Sequence, residues 1–231
     1  MARQFADLGY DLGLCARRTE RLEALAAEIT AAHPDARVVL KALDVNDDDA
    51  VFRVFAEFAT DFGTVDRVVI NAGLGKGAPL GTGRYAANRQ TAMTNFVAAL
   101  AQTEAAMEIF RAQKSGHLVM ISSMSAMRGQ RKTITTYAAT KAGVAALAEG
   151  LQNENVPGID VSIIYPGYIR SEMNSKVEQK TKFMVDTKTG VRAMVAAIEK
   201  RKAKAYVPAW PWVPLGHALK HLPLPVVRKL M

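Results

Sequence analysis

The feature that most constrains this 231-residue chain is an alternation of two kinds of segment. Short, nearly all-apolar runs are separated by longer stretches with helical spacing. The runs are Tyr10 to Ala16, Arg37 to Leu43, Val65 to Ile70, His117 to Ser122 and Asp160 to Tyr165, with Ala205 to Val207 as a short last one. A strand that is apolar at almost every position has to be covered on both faces. Intervening helices supply that cover and make the strand connections parallel. The expected fold class is therefore α/β, a doubly wound parallel sheet. The pattern predicts the end of a helix over Met1 to Leu8, stopped by Gly9. Thr19 is expected to cap a helix from Glu20 to about Ala32, ended by His33-Pro34. Asn46 or Asp47 is expected to cap another that runs to about Asp61. Further helices are predicted over Tyr85 to Gln113, Thr136 to Asn153 and Gly190 to Arg201.

A doubly wound nucleotide-binding sheet normally opens with a strand, a Gly-rich turn and a helix. This chain starts inside such a helix. The expectation is that a first strand and Gly-rich loop, on the order of 20 residues, are missing upstream of the numbered Met1. The alternative is a short protein that no longer binds a dinucleotide in the usual way. Residues 1–207 read as one domain. Residues 208–231 read as a Pro-rich, basic and apolar C-terminal tail.

Composition excludes several classes. Hydrophobic residues make up 49% of the chain, enough to close one core at this length. No run approaches the roughly 20 apolar residues of a membrane span, and the first residues do not resemble a signal peptide. Cys15, the only cysteine, excludes an internal disulfide and fits a reducing cytoplasm. The net charge of +8 is unevenly spread: residues 176–231 carry +9 and the rest −1. Without a groove-binding motif, that basicity does not point to nucleic acid. It fits a membrane surface or an anionic substrate. The tail's Trp210, Trp212, leucines and cations suit either a peripheral membrane contact or packing across a dimer or over a substrate pocket.

The residues that carry chemistry lie at strand ends and on one helix. Tyr137 and Lys141 are four apart and share a helix face. An ammonium beside a phenol favours the phenolate and brings its pKa down towards neutral, which suits acid–base work. Ser122-Ser123 ends the fourth strand, where open α/β sheets bind ligands. Asn71-Ala72-Gly73 ends the third.

These elements, in this order, resemble the short-chain dehydrogenase/reductase family over residues 1 to about 175. The family's NNAG element appears as Ile70-Asn71-Ala72-Gly73, its helix asparagine as Asn95, its serine as Ser123, its YxxxK as Tyr137 to Lys141, and its Pro-Gly turn as Pro166-Gly167. The resemblance implies a Rossmann-like catalytic domain over 1–207. It implies that Tyr137 exchanges the proton and that Lys141 lowers its pKa and holds the nicotinamide ribose. It further implies that Ser123 orients the substrate oxygen, with Ser125 as a rival, and that Asn95 holds a water linking Lys141 to solvent. Ile70 departs from the family's asparagine and reads as a packing change.

The same resemblance implies a cofactor, NADP(H) in preference to NADH. Arg17 and Arg18 follow the strand end where NAD-preferring members carry an acid, and guanidinium groups suit a 2′-phosphate. Asp44 and Val45 resemble the adenine-contacting pair. Pro166, Gly167, Ile169 and Ser171 resemble the segment that closes over the nicotinamide amide. Arg170 to Asp186 falls where relatives place a lid. Its Met173, Val177, Phe183 and Met184 among Lys176, Lys180 and Lys182 suit a lipid-like or acyl substrate with an anionic group.

Three patterns are set aside. Gly81 to Ala86 fits GxGxxA but follows a loop rather than a strand. His217 and His221 lack a third ligand, so no metal is expected. Asp47-Asp48-Asp49 reads as a helix start. The expected function is hydride transfer between nicotinamide and a carbonyl or alcohol by a cytoplasmic homo-oligomer. The alternative is a catalytically impaired binding or scaffolding protein on the same sheet.

Overall fold

The computed structural model describes residues 1–75, 77–171 and 183–230. The helices are α1 (Ala2–Ala6), α2 (Thr19–Ala32), α3 (Asp48–Phe62), α4 (Tyr85–Ala92), α5 (Ala98–Gln113), α6 (Thr135–Glu154), α7 (Thr187–Glu199), α8 (Ala209–His221) and α9 (Leu224–Leu230). The strands are β1 (Leu12–Ala16), β2 (Val38–Ala42), β3 (Arg67–Ile70), β4 (Gly116–Ile121), β5 (Ile159–Pro166) and β6 (Lys204–Val207). Every pairing is parallel, as the alternation of strands and helices predicts.

β4 is buried at all six positions, and its period of two sorts its side chains onto two faces. Leu118 and Met120 join Val51, Phe55, Ala106, Phe110, Val144 and Ala148 from α3, α5 and α6. Val119 and Ile121 join Phe5, Val195 and Ile198 from α1 and α7. β5 does the same, with Ile163 on the first face and Ile164 on the second. Ile70 is only 3% exposed and lies in the first core, so an apolar residue there is a packing choice.

The sheet differs from expectation in one respect. It forms a β1–β2 pair and a separate β3–β4–β5–β6 sheet. β1 and β2 are mostly half-buried, with Leu12 alone fully buried. Side chains rather than ladder bonds cross between the two parts. The Arg67 guanidinium stacks on the Phe5 and Tyr10 rings and pairs with Glu199, which also accepts from the Tyr10 hydroxyl.

Several element ends are corrected. Thr19 is the first residue of α2 and does not cap it; Arg18 holds the cap position without a side-chain cap bond. Asp47 caps α3 by accepting from the Ala50 N–H at 3.0 Å. The long helix predicted over Tyr85 to Gln113 is interrupted by a π turn at Met93–Val97. The tail is helical despite its prolines. Trp210 is non-helical (φ −99°, ψ 133°), so Pro211 opens the helix that follows it, where a missing N–H costs no hydrogen bond, while Pro214 lies inside that helix. Gly81 and Gly83 have positive φ in the turn before α4, with no strand leading into them.

Arg67 also donates from Nε to His117 Nδ1 at 3.0 Å, and His117 Nε2 lies 2.8 Å from Ser162 Oγ. A neutral imidazole meets both partners, accepting at Nδ1 and donating at Nε2. Burial, reinforced by the Arg67 and Arg201 cations, depresses the His117 pKa from 6.5 to about 4. The unfolded chain then binds a proton that the folded chain refuses. The contribution to stability is complete above pH 6.5 and is lost as pH falls towards 4. It amounts to on the order of 2–3 kcal/mol. Urea unfolding at pH 7 and pH 5 should show this loss in the wild type, and His117→Gln, which can keep both hydrogen bonds, should remove most of it.

Candidate active site

Because the strands are parallel, their carboxyl ends meet along one edge. Arg17 follows β1, Asp44 lies two residues beyond β2, Asn71 follows β3, Ser122 follows β4 and Gly167 follows β5. Every residue expected to bind or react, except those on the π turn and α6, hangs from this edge.

The π turn carries Asn95, and such bulges shift a side chain out of the helical register. Asn95 is fully buried. Its Oδ1 accepts from the Leu74 N–H at 2.6 Å, and its Nδ2 donates to the Leu74 carbonyl at 2.9 Å and to Thr140 Oγ1 at 3.3 Å. The carboxamide thus braces the loop after β3 against α6. Gly73 sits inside this brace. A Cβ there would lie 3.4 Å from Asn95 Oδ1 and 3.5 Å from Lys141 Nζ.

Lys141 is 5% exposed. Its ammonium donates to the Ile121 carbonyl at the end of β4, 2.8 Å away, and the Ser122 hydroxyl donates back to the Lys141 carbonyl at 2.8 Å. Helix α6 is thereby latched to the strand end at two points. Burial lowers the Lys141 pKa to about 8.

Tyr137 stands one turn earlier on α6, and its phenol shares a side-chain hydrogen bond with Ser123. The Ser123 hydroxyl also accepts from the Ser125 N–H at 3.1 Å, which caps the short 3-10 turn at Met124–Met127. Of the two candidate serines, Ser123 is the one that reaches the phenol; Ser125 contributes its backbone to holding Ser123. The expectation that Lys141 brings the phenol pKa down is corrected. Burial raises the Tyr137 pKa, the Ser123 hydrogen bond opposes that rise, and nearby Tyr168 adds to it. The desolvation of a buried phenol outweighs the rest.

The remaining residues form two further groups. Arg17 is exposed, with a guanidinium nitrogen 3.8 Å from the Asp44 carboxylate. Asp44 accepts from the Asn46 N–H and side chain, and those bonds hold its pKa below the ordinary carboxylate value. Val45 packs against the first core, and Arg18 leads into α2. Asn71 is exposed and Ala72 half-buried. Pro166 ends β5, and Ile169 bridges to Val185. Ser171 is exposed and, with Arg170, begins the expected lid. Residues 172–182, with Met173, Lys176, Val177, Lys180 and Lys182, lie outside the described residues.

The sequence reading missed three participants. Thr140 closes the Asn95 brace. Tyr168, directly after the Pro-Gly turn, acts electrostatically on Tyr137. Trp212 of α8 lies flat where a side chain on Gly167 would stand. It packs edge-on against Tyr168 and Phe183 at 5.6 and 6.4 Å between ring centroids. The Pro166-Gly167 signal marked the turn, but nothing in the tail marked which tryptophan would reach it. The indole N–H of Trp212 is buried without a hydrogen-bond partner among the described residues.

Comparison with known proteins identifies the fold and the family. An uncharacterized oxidoreductase of Mycobacterium tuberculosis is 49% identical over 230 residues, covering 99% of this chain and 90% of that protein. An alcohol dehydrogenase from the archaeon Thermococcus sibiricus, solved with 5-hydroxy-NADP, superposes with a TM-score of 0.78 at 24% identity, covering 89% of this chain and 88% of that one. A short-chain dehydrogenase/reductase from Burkholderia phymatum, solved with NAD, superposes at 0.82 with 18% identity, covering 99% and 89%. These two share the Rossmann-like fold. Residues 1–182 match the short chain dehydrogenase family, and the chain belongs to it.

Proposed function

We propose that this protein is an NADP(H)-dependent oxidoreductase that moves a hydride between nicotinamide and a carbonyl or alcohol. The observation that carries the reading is the Ser123–Tyr137–Lys141 cluster at the carboxyl end of β4, with a phenol and a serine hydroxyl already hydrogen-bonded to each other. The dinucleotide, when bound, supplies or accepts the hydride. The residues present suit it. Lys141 offers a buried ammonium whose described partner is a neutral carbonyl, and Gly73 leaves a narrow space beside it. Asn71 to Gly73, Tyr137 and Lys141 would line the nicotinamide ribose. Pro166, Gly167, Ile169 and Ser171 would face the carboxamide, and Asp44 and Val45 the adenine. Exposed Arg17, with Arg18 beside it, suits a 2′-phosphate, which favours NADP over NAD.

Ser123 and Tyr137 would share the substrate oxygen. With its pKa raised by burial, Tyr137 is a neutral phenol near pH 7 and stands ready as a proton donor, the role that carbonyl reduction needs. Asn95 holds the loop and helix in register. Tyr168, Phe183, Trp212 and Met124 gather apolar surface around this position, which supports an apolar, lipid-like or acyl carbonyl substrate. The protein would work in the cytoplasm as a homo-oligomer. The impaired-scaffold reading gains no support from a site whose reacting groups are assembled.

Titration with NADPH and NADH, followed by a carbonyl substrate screen, tests the proposal; failure to bind either dinucleotide would refute it. Tyr137→Phe should lower kcat by about 10²–10⁴-fold with little change in dinucleotide affinity. Arg17→Ala with Arg18→Ala should weaken NADPH binding by roughly 10- to 100-fold, the worth of one charge-assisted hydrogen bond, and leave NADH within a few-fold. Lys141 is charged below its pKa of about 8 and neutral above it. Reductive kcat/KM should therefore fall as pH rises through about 8, and Lys141→Arg, which stays charged, should move that fall upward wherever activity survives.

A further inference from the structure

We infer that the outer face of α8 and α9 is a docking surface for an anionic lipid bilayer. The inference is independent of the proposed reaction. From Lys200 to the C-terminus the chain has seven Lys/Arg and no Asp or Glu. The last acid, Glu199, is already paired with Arg67. Arg201 pairs with Asp160, whereas Lys200, Lys202, Lys220 and Arg228 are exposed.

Beside Lys220 and Arg228, α8 and α9 also expose apolar side chains. α8 turns Pro211, Trp212 and Gly216 inward. That leaves Val213, His217 and His221, each one turn apart, on its outer side. Trp210, just before the helical turns, is 78% exposed. On α9 only Val227 is buried among the residues whose side chains are described, while Leu224 and Val226 are 52% and 41% exposed. An isolated seven-residue helix is marginal in water. One buried valine gives α9 little in this protein to rest on, so its apolar side chains call for an external surface.

A bilayer interface matches this chemistry on both counts. Tryptophan partitions to the headgroup level, short helices with apolar and basic faces lie in the interface plane, and anionic lipids attract exposed Lys and Arg. No described helix is long and apolar enough to cross a membrane, which leaves surface attachment as the mode. A second copy of the chain would suit this face less well. Self-association about a two-fold axis would set the exposed cations of α8 and α9 against their own copies.

The test is co-sedimentation of the full chain with vesicles of phosphatidylglycerol and phosphatidylcholine (1:1) against pure phosphatidylcholine, at about 0.1 M salt, where screening is moderate. Binding to the mixed vesicles alone is expected, with a blue shift of tryptophan emission as Trp210 enters the interface. Trp210→Ser with Leu224→Ser should weaken binding at least tenfold. Lys220→Glu with Arg228→Glu should do the same by a different route. Both variants should keep the wild-type circular dichroism and turnover. Absence of vesicle binding, equal binding to both vesicle types, or binding that survives both double variants would overturn the inference. So would a Trp210→Ser/Leu224→Ser protein that changes from oligomer to monomer, because the face would then belong to a second copy.

Discussion

The hydrogen bond from the Lys141 ammonium to the Ile121 carbonyl ties the chemistry of this protein to its sheet. β4 is the most completely buried strand, packed by helices on both faces, so its carboxyl end is among the least movable points in the molecule. Fixing the lysine there fixes the register of α6, and Tyr137 one turn earlier is placed with it. Ser122 closes the same latch from the other side. Ser123, the next residue, is therefore delivered to the phenol by the strand itself.

Burial governs the electrostatics of the cluster. It pushes the phenol towards its neutral form and pulls the ammonium towards its neutral form as well. Among the described residues no carboxylate relieves the lysine; its partner is a neutral carbonyl. A buried cation held by neutral donors and acceptors is poised to gain from any anionic or oxygen-rich ligand brought alongside. In the protein alone, tyrosine and lysine are held ready rather than already coupled.

The C-terminal segment joins the site to the surface. One side of α8 puts Trp212 against Gly167 and Tyr168, beside the candidate site. Its other side presents Val213 and His217 to solvent, next to the exposed Trp210. The indole N–H of Trp212, without a partner among the described residues, carries a desolvation cost of about 1–3 kcal/mol. It lies among Tyr168 and Phe183, and Phe183 has the positive φ of 64° that a bulky residue rarely adopts. Such features accumulate where a structure is shaped for more than stability.

Much of this was legible in the residues alone. A strand that is apolar at nearly every position has few folds open to it, so the parallel α/β architecture followed from the runs ending at Ala16, Ile70, Ser122 and Tyr165. Residues at strand ends were legible for the same reason: parallel strands send their carboxyl ends to one edge whatever the loops do. The four-residue step from Tyr137 to Lys141 is a helical contact, fixed by local geometry. What only the tertiary structure decided was the environment of those groups. Whether lysine or burial dominates the phenol depends on how much water the whole fold excludes. The π turn at Asn95, the brace through Thr140 and the return of Trp212 to Gly167 join residues tens of positions apart, and no local pattern encodes such meetings.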